Sequence, residues 1–99
     1  MTPRYAIFVT LQLKPGMGEA FRPHILTNAA ATRREEPDNH AFEVSVAADD
    51  PDRYHFYEVY SDEQALETHR QTAHFKAYFA ATKDMIAERA VVPLQVVDY

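Results

Sequence analysis

Cysteine is absent from the 99 residues, which excludes both a disulfide framework and a thiolate metal site. Tryptophan is absent as well, and glycine occurs only twice, as Gly16 and Gly18. No apolar run approaches the roughly 20 residues that a membrane-spanning helix needs. The start of the chain, Met1-Thr2-Pro3-Arg4-Tyr5, lacks the charged-then-apolar layout of a secretory signal. Basic charge is scarce: 10 Lys and Arg stand against 15 Asp and Glu, a net charge of -5. A nucleic-acid surface needs a basic stripe to neutralise phosphates. The nearest approach to one, Arg33-Arg34, is followed at once by Glu35-Glu36 and reads as helix-surface charge. These absences predict a soluble cytoplasmic protein with neither nucleic acid nor membrane as its partner.

What the chain does hold is apolar and aromatic: 46% of residues are hydrophobic and 12% are Phe or Tyr, far from a disordered composition. The length suits one domain over residues 1–99, and no composition shift divides it. A lone domain of this size buries only roughly two-thirds of its unfolded surface, so a partner covering further apolar area would add to a modest stability.

Tyr5 to Leu13 (YAIFVTLQL) is β-branched and aromatic and stops at Lys14-Pro15-Gly16, the signature of a strand ending in a turn. From Met17 to about Arg34 the period becomes helical: Met17, Phe21, Ile25, Asn28 and Thr32 recur at spacings of one helical face. Pro23 sits inside that register and predicts a kink or a later start. Pro37-Asp38-Asn39 ends the helix. Ala41 to Ala47 alternates like a strand, Asp49 to Asp52 reads as a turn, and Arg53 to Tyr60 is the strongest strand. Ser61-Asp62-Glu63-Gln64 opens a helix running to about Arg70. Thr72 is placed to cap another, whose apolar face runs Phe75, Tyr78, Phe79, Thr82, Met85 and Ile86. Ala90 to Val97 closes the chain as a strand in which Pro93 marks a sheet edge or bulge. The order β-α-β-β-α-β predicts an α+β, ferredoxin-like fold with an antiparallel sheet.

Helices cover one face of such a sheet. The strands here offer apolar side chains to both faces, which predicts closure of the second face against another copy of the chain. An interface of this kind buries on the order of 1,500 Å² or more.

Three stretches carry a family resemblance. Asn28-Ala29-Ala30-Ala31-Thr32 leads to Glu36-Pro37 and Phe42-Glu43-Val44. Asp50-Pro51-Asp52-Arg53-Tyr54 runs into Phe56-Tyr57-Glu58-Val59-Tyr60. His69-Arg70-Gln71-Thr72-Ala73-His74-Phe75 follows. In order and spacing they resemble the antibiotic biosynthesis monooxygenases, whose fold is a dimeric α/β barrel. The resemblance implies a homodimer and cofactor-free chemistry on a small molecule. The family includes oxygenases of quinols and anthrone-like aromatics, an isomerase of phosphorylated autoinducer-2, and haem-degrading enzymes. The haem degraders use a pocket Trp and a first-strand Asn, and this chain has neither.

Asn28 and Thr32 share the stripe that should face the sheet, and Glu58 shares a face with Tyr54, Phe56 and Tyr60. Polar groups on apolar faces are costly unless paired or set around a cavity. His69 and His74, five residues apart, flank a helix break that would turn them toward one space. A neutral imidazole can accept a proton from an enol or quinol hydroxyl near pH 7. The candidate catalytic set is therefore His74, Glu58, Asn28 and His69. Thr32, Phe56, Tyr60, Phe75 and Tyr78 are candidate substrate contacts. Each also has a plainer reading, as a local cap, a buried hydrogen bond or core packing. Two His and one Glu make a legitimate metal set, but H-E-x-x-H spacing is missing and the resemblance implies chemistry without metal or other cofactor.

The leading expectation is a cofactor-independent monooxygenase of a quinol-like aromatic, with His74 as base. A second is an isomerase or tautomerase of a small polyhydroxy ketone, with Arg70 and Lys76 as candidate anchors where the ketone is phosphorylated. A third is a ligand-binding dimer without catalysis.

Overall fold

The computed structural model describes residues 3–99. Met1 and Thr2, part of the N-terminal stretch read above, lie outside the described residues. The elements run β1 (Arg4–Leu13), α1 (Gly18–Glu35), β2 (Asn39–Ala47), β3 (Asp50–Tyr60), α2 (Glu63–Arg70), α3 (Ala73–Thr82), a 3-10 turn (Lys83–Met85) and β4 (Ile86–Val96). The sheet order is β2-β3-β1-β4, and every neighbouring pair is antiparallel. This is the ferredoxin-like arrangement expected from the alternation of strand and helix periods.

The stripe on α1 packs as its spacing requires. Phe21, Ile25, Asn28 and Thr32 are buried, and Met17 is packed against the core. They meet Ile7, Val9, Leu11 and Leu13 of β1 and Tyr54, Phe56 and Tyr60 of β3. Fully burying each such large apolar side chain contributes about 1.5–3 kcal/mol. Pro23 does not delay the start of α1, which begins at Gly18 and runs through it. Its ring lies at an exposed position.

Two boundaries differ from the sequence reading. The expected turn over Asp49–Asp52 is shorter, since β3 already begins at Asp50. The acidic residues are used differently: Asp52 accepts hydrogen bonds from the backbone N–H of Gly16 and Gly18 at 3.0 and 2.8 Å, clasping the start of α1. Gly18 must stay small there, because a Cβ would come within 2.1 Å of the Pro51 carbonyl oxygen. The other difference is at α3, which stops at Thr82, so Met85 and Ile86 are not on its face. The Thr82 hydroxyl bonds back to the Tyr78 carbonyl at 2.8 Å, and β4 starts four residues before the expected Ala90. Pro93 does stand on an edge strand.

The helices cover one sheet face. On the other, Phe8 lies between Tyr57 of β3 and Val92 of β4, while Ala6 lies beside Leu94. Phe8, Val92 and Leu94 remain 39%, 50% and 40% exposed.

Candidate active site

Between α1, the sheet and the α2–α3 pair lies a cavity of about 410 Å³. Its wall is mostly apolar, with Ile7, Val9 and Leu11 from β1, Phe56 from the neighbouring strand β3, and Phe75 and Tyr78 from α3 opposite. Asn28, Glu58 and His69 supply its deep polar groups, and all three are buried. Arg70 and Arg89 complete it toward solvent.

Each polar group is held by its element. Asn28 sits on the inward stripe of α1, and its Oδ1 is buried without a hydrogen-bond partner. Glu58 reaches the same space because it is opposite Ile7 on β1 and Phe42 on β2, both on the helix-covered face. Its Oε1 accepts the Tyr60 hydroxyl at 2.7 Å. His69 lies in the last turn of α2 and His74 in the first turn of α3. Asp62 caps α2 by accepting Ala65 N–H at 2.8 Å, and Thr72 caps α3 by accepting Phe75 N–H at 3.2 Å. The break between the helices brings both imidazoles onto one atom. His69 Nδ1 lies 2.8 Å from Glu36 Oε2, and His74 Nε2 lies 2.5 Å from the same oxygen.

An ionised carboxylate only accepts, so both contacts place the proton on the imidazole. His69 Nε2 is then the unprotonated nitrogen, and it lies 4.0 Å from Glu58 Oε1. That separation is too long for a direct hydrogen bond, yet an oxygen about 2.8 Å from each atom fits between them. Burial pulls the His69 pKa below its ordinary 6.5, against Glu36, which pushes it up. Burial raises the Glu58 carboxyl to about 7, opposed by the Tyr60 hydrogen bond and by Arg70 and Arg89. The pair near neutral pH is thus a neutral base beside a partly protonated acid. Burial also pushes the phenols of Tyr60 and Tyr78 upward, which keeps them neutral.

Of the residues singled out from the sequence, Asn28, Phe56, Glu58, His69, Phe75 and Tyr78 line this one cavity. Thr32, Tyr60 and His74 do not. The Thr32 hydroxyl donates to the Asn28 carbonyl at 2.7 Å, Tyr60 stands behind Glu58, and His74 stands behind Glu36. Sequence reasoning gave no site role to Glu36 or Arg89. Glu36 carried a signal, an acid just past the end of α1 in a stretch already matched to a family. Arg89 carried none, because the last strand was read to begin one residue later.

Glu36, His69 and His74 are also the group among the described residues that could hold a metal ion, with one donor atom each and all within 4.8 Å. Both imidazoles are hydrogen-bonded to the same Glu36 oxygen, so a cation would have to displace both shared protons.

Residues 4–81 match the family described as antibiotic biosynthesis monooxygenase. The chain belongs to this family. Among solved structures, a protein provisionally named as a member from Nitrosomonas europaea is 30% identical, with a TM-score of 0.90 over 95% of this chain and 99% of that one. Another, from Caulobacter crescentus, is 24% identical with a TM-score of 0.90, covering 98% and 92% of the two chains. A third, from Bacteroides thetaiotaomicron, is 21% identical with a TM-score of 0.91 over 96% and 90%. The latter two show the family fold alone. No curated protein matches the chain. Among the described residues, no helix is long and apolar enough to cross a membrane.

Proposed function

We propose that the protein is a cofactor-independent monooxygenase of a small hydroxylated aromatic, with His69 as its base. The observation that carries this reading is the opposition of His69 Nε2 and Glu58 across 4.0 Å in the wall of an otherwise apolar cavity. A ring fits the apolar wall, and its hydroxyl fits the gap between imidazole and carboxyl. Asn28 Oδ1, buried and unpartnered, offers a place for a second hydroxyl to donate.

His69 removes a hydroxyl proton from the bound quinol-like ring, leaving an electron-rich enolate. The enolate passes one electron to O₂, and the two radicals join at a ring carbon to give a hydroperoxide. That carbon's hydrogen and the outer peroxide oxygen then leave as water, with Glu58 returning a proton, and a carbonyl remains. One oxygen atom ends in the product and the other in water. All the electrons come from the substrate, so no separate reductant is consumed. Glu36 fixes the His69 tautomer, and His74 braces Glu36 rather than touching the ring. Thr32 and Tyr60 act through Asn28 and Glu58.

The same acid–base pair supports a second reading, proton transfer between carbons of a polyhydroxy ketone through an enediol. Oxygen uptake with a panel of hydroquinones separates the two. His69→Gln is expected to lower uptake by about 100-fold or more, while His74→Gln shifts the pH profile with a smaller loss. Turnover that persists under nitrogen refutes the oxygenase.

The proposed assembly is a homodimer closed over Phe8, Val92 and Leu94, whose exposure on the uncovered sheet face gives a second copy an apolar surface to bury. A cytoplasmic location belongs to the same reading and agrees with a chain that has no cysteine.

A further inference from the structure

The polar groups of the cavity are not evenly spread. At its deep end, Asn28 is 2% exposed and Glu58 is 5% exposed. At its outer end stand two guanidiniums, Arg70 from the last turn of α2 and Arg89 from β4. Both line the same cavity as Glu58, and each acts on its carboxyl through space in favour of the ionised form. Arg70 spends one nitrogen on Glu67, 2.8 Å away on the surface. Its other donors stay open, because a guanidinium carries five. Arg89 is exposed, and no carboxylate among the described residues lies within ion-pair distance of it.

Two cations converging on one apolar cavity are notable in a chain of net charge -5. The apolar middle of the cavity gives them nothing to bind. Glu58 is a poor permanent counterion, since burial holds its carboxyl near half protonation at neutral pH. What the outer end lacks is an anion, and what the deep end lacks is a hydroxyl donor for Asn28 Oδ1.

We infer that the substrate carries an anionic substituent, carboxylate or phosphate, which Arg70 and Arg89 hold while its hydroxyl-bearing end lies between Asn28, Glu58 and His69. This rests on the proposed function for the hydroxyl end only. The anion subsite determines which aromatics enter and in which direction. A planar guanidinium favours this role, because it binds such oxygens in a two-pronged manner that an ammonium does not.

The test is direct binding of hydroquinone and of hydroquinone carboxylate to the intact protein, measured anaerobically by calorimetry. The carboxylate is expected to bind about tenfold or more tightly than the neutral ring, as one charge-assisted contact supplies. Added salt is expected to narrow that gap. Arg89→Ala and Arg70→Ala are each expected to shrink the ratio between the two ligands, and the double variant to bring it to about one. Thermal melts of the variants establish that they are folded. Equal affinity of the wild type for both ligands overturns the inference, as does a ratio unmoved in the double variant or no binding of either ligand. Oxygen uptake is read separately. An arginine-dependent carboxylate preference without uptake refutes the oxygenase and leaves the subsite standing, whereas uptake with no preference does the reverse.

Discussion

Glu58→Gln removes a charge while keeping the shape of the side chain, and the Tyr60 hydroxyl can still donate to the amide oxygen where it now reaches Oε1 at 2.7 Å. In the folded protein the Glu58 carboxyl is raised from its ordinary 4.5 to about 7, chiefly by burial. The sign follows from which state ionises first. Below the ordinary value the group is neutral both folded and unfolded, and its contribution to stability is fully present. As pH rises the unfolded chain ionises first, so that contribution is lost progressively until the folded group also ionises near 7. A displacement of this size corresponds to roughly 3 kcal/mol in total, most of which falls between about pH 5 and about pH 8. Glu58→Gln has no such loss. Urea titrations of both proteins across that window are therefore expected to show the variant gaining on the wild type by about 2–3 kcal/mol as pH rises. His69 runs the other way, since its lowered pKa gives stability that is present above 6.5 and lost as pH falls. Because His69 lies 4.0 Å from Glu58, the same comparison in a His69→Gln background separates its contribution. A difference that stays flat with pH would refute the placement of an ionisable carboxyl in the apolar wall.

Asn28→Leu replaces a buried acceptor that has no partner, so it is expected to stabilise the fold by about 1 kcal/mol while weakening hydroquinone binding; urea melts and calorimetry read the two effects. Gly18→Ala drives a Cβ against the Pro51 carbonyl and is expected to cost about 2 kcal/mol or more, seen as a lowered denaturation midpoint. Phe8→Asp puts a charge in the middle of the uncovered sheet face. Sedimentation equilibrium is expected to find the wild type dimeric and this variant monomeric, and a wild type monomeric at micromolar concentration would refute the proposed assembly.

The periods of the sequence carried most of the fold. The stripe Phe21, Ile25, Asn28 and Thr32 on α1 and the face shared by Tyr54, Phe56, Glu58 and Tyr60 on β3 are local patterns, and both faces are buried together. The two misplaced boundaries have tertiary causes. Asp50 and Asp52 look like turn residues, but Asp52 clasps Gly16 and Gly18 while Asp50 accepts the Asp52 N–H at 2.9 Å, and both serve at the start of a strand. Met85 and Ile86 continue the apolar spacing of α3, but pairing with β1 takes Ile86 into β4. At the site, direction was legible and depth was not. Spacing placed His69 and His74 on either side of a break, yet which imidazole faces the cavity depends on Glu36, which lies 33 and 38 positions away in sequence. No local period reports a contact at that range.

The single oxygen that joins α1 to the paired helices has a spectroscopic consequence. His69 is enclosed, but the His74 side chain keeps 15% of its surface in water, and both rings lean on Glu36 Oε2. Any molecule that draws on the far nitrogen of His69 changes how strongly its near nitrogen holds that oxygen, and His74 registers the change from outside. The ring resonances of His74 in NMR therefore act as an indicator of cavity occupancy, available without labelling the guest or opening the fold.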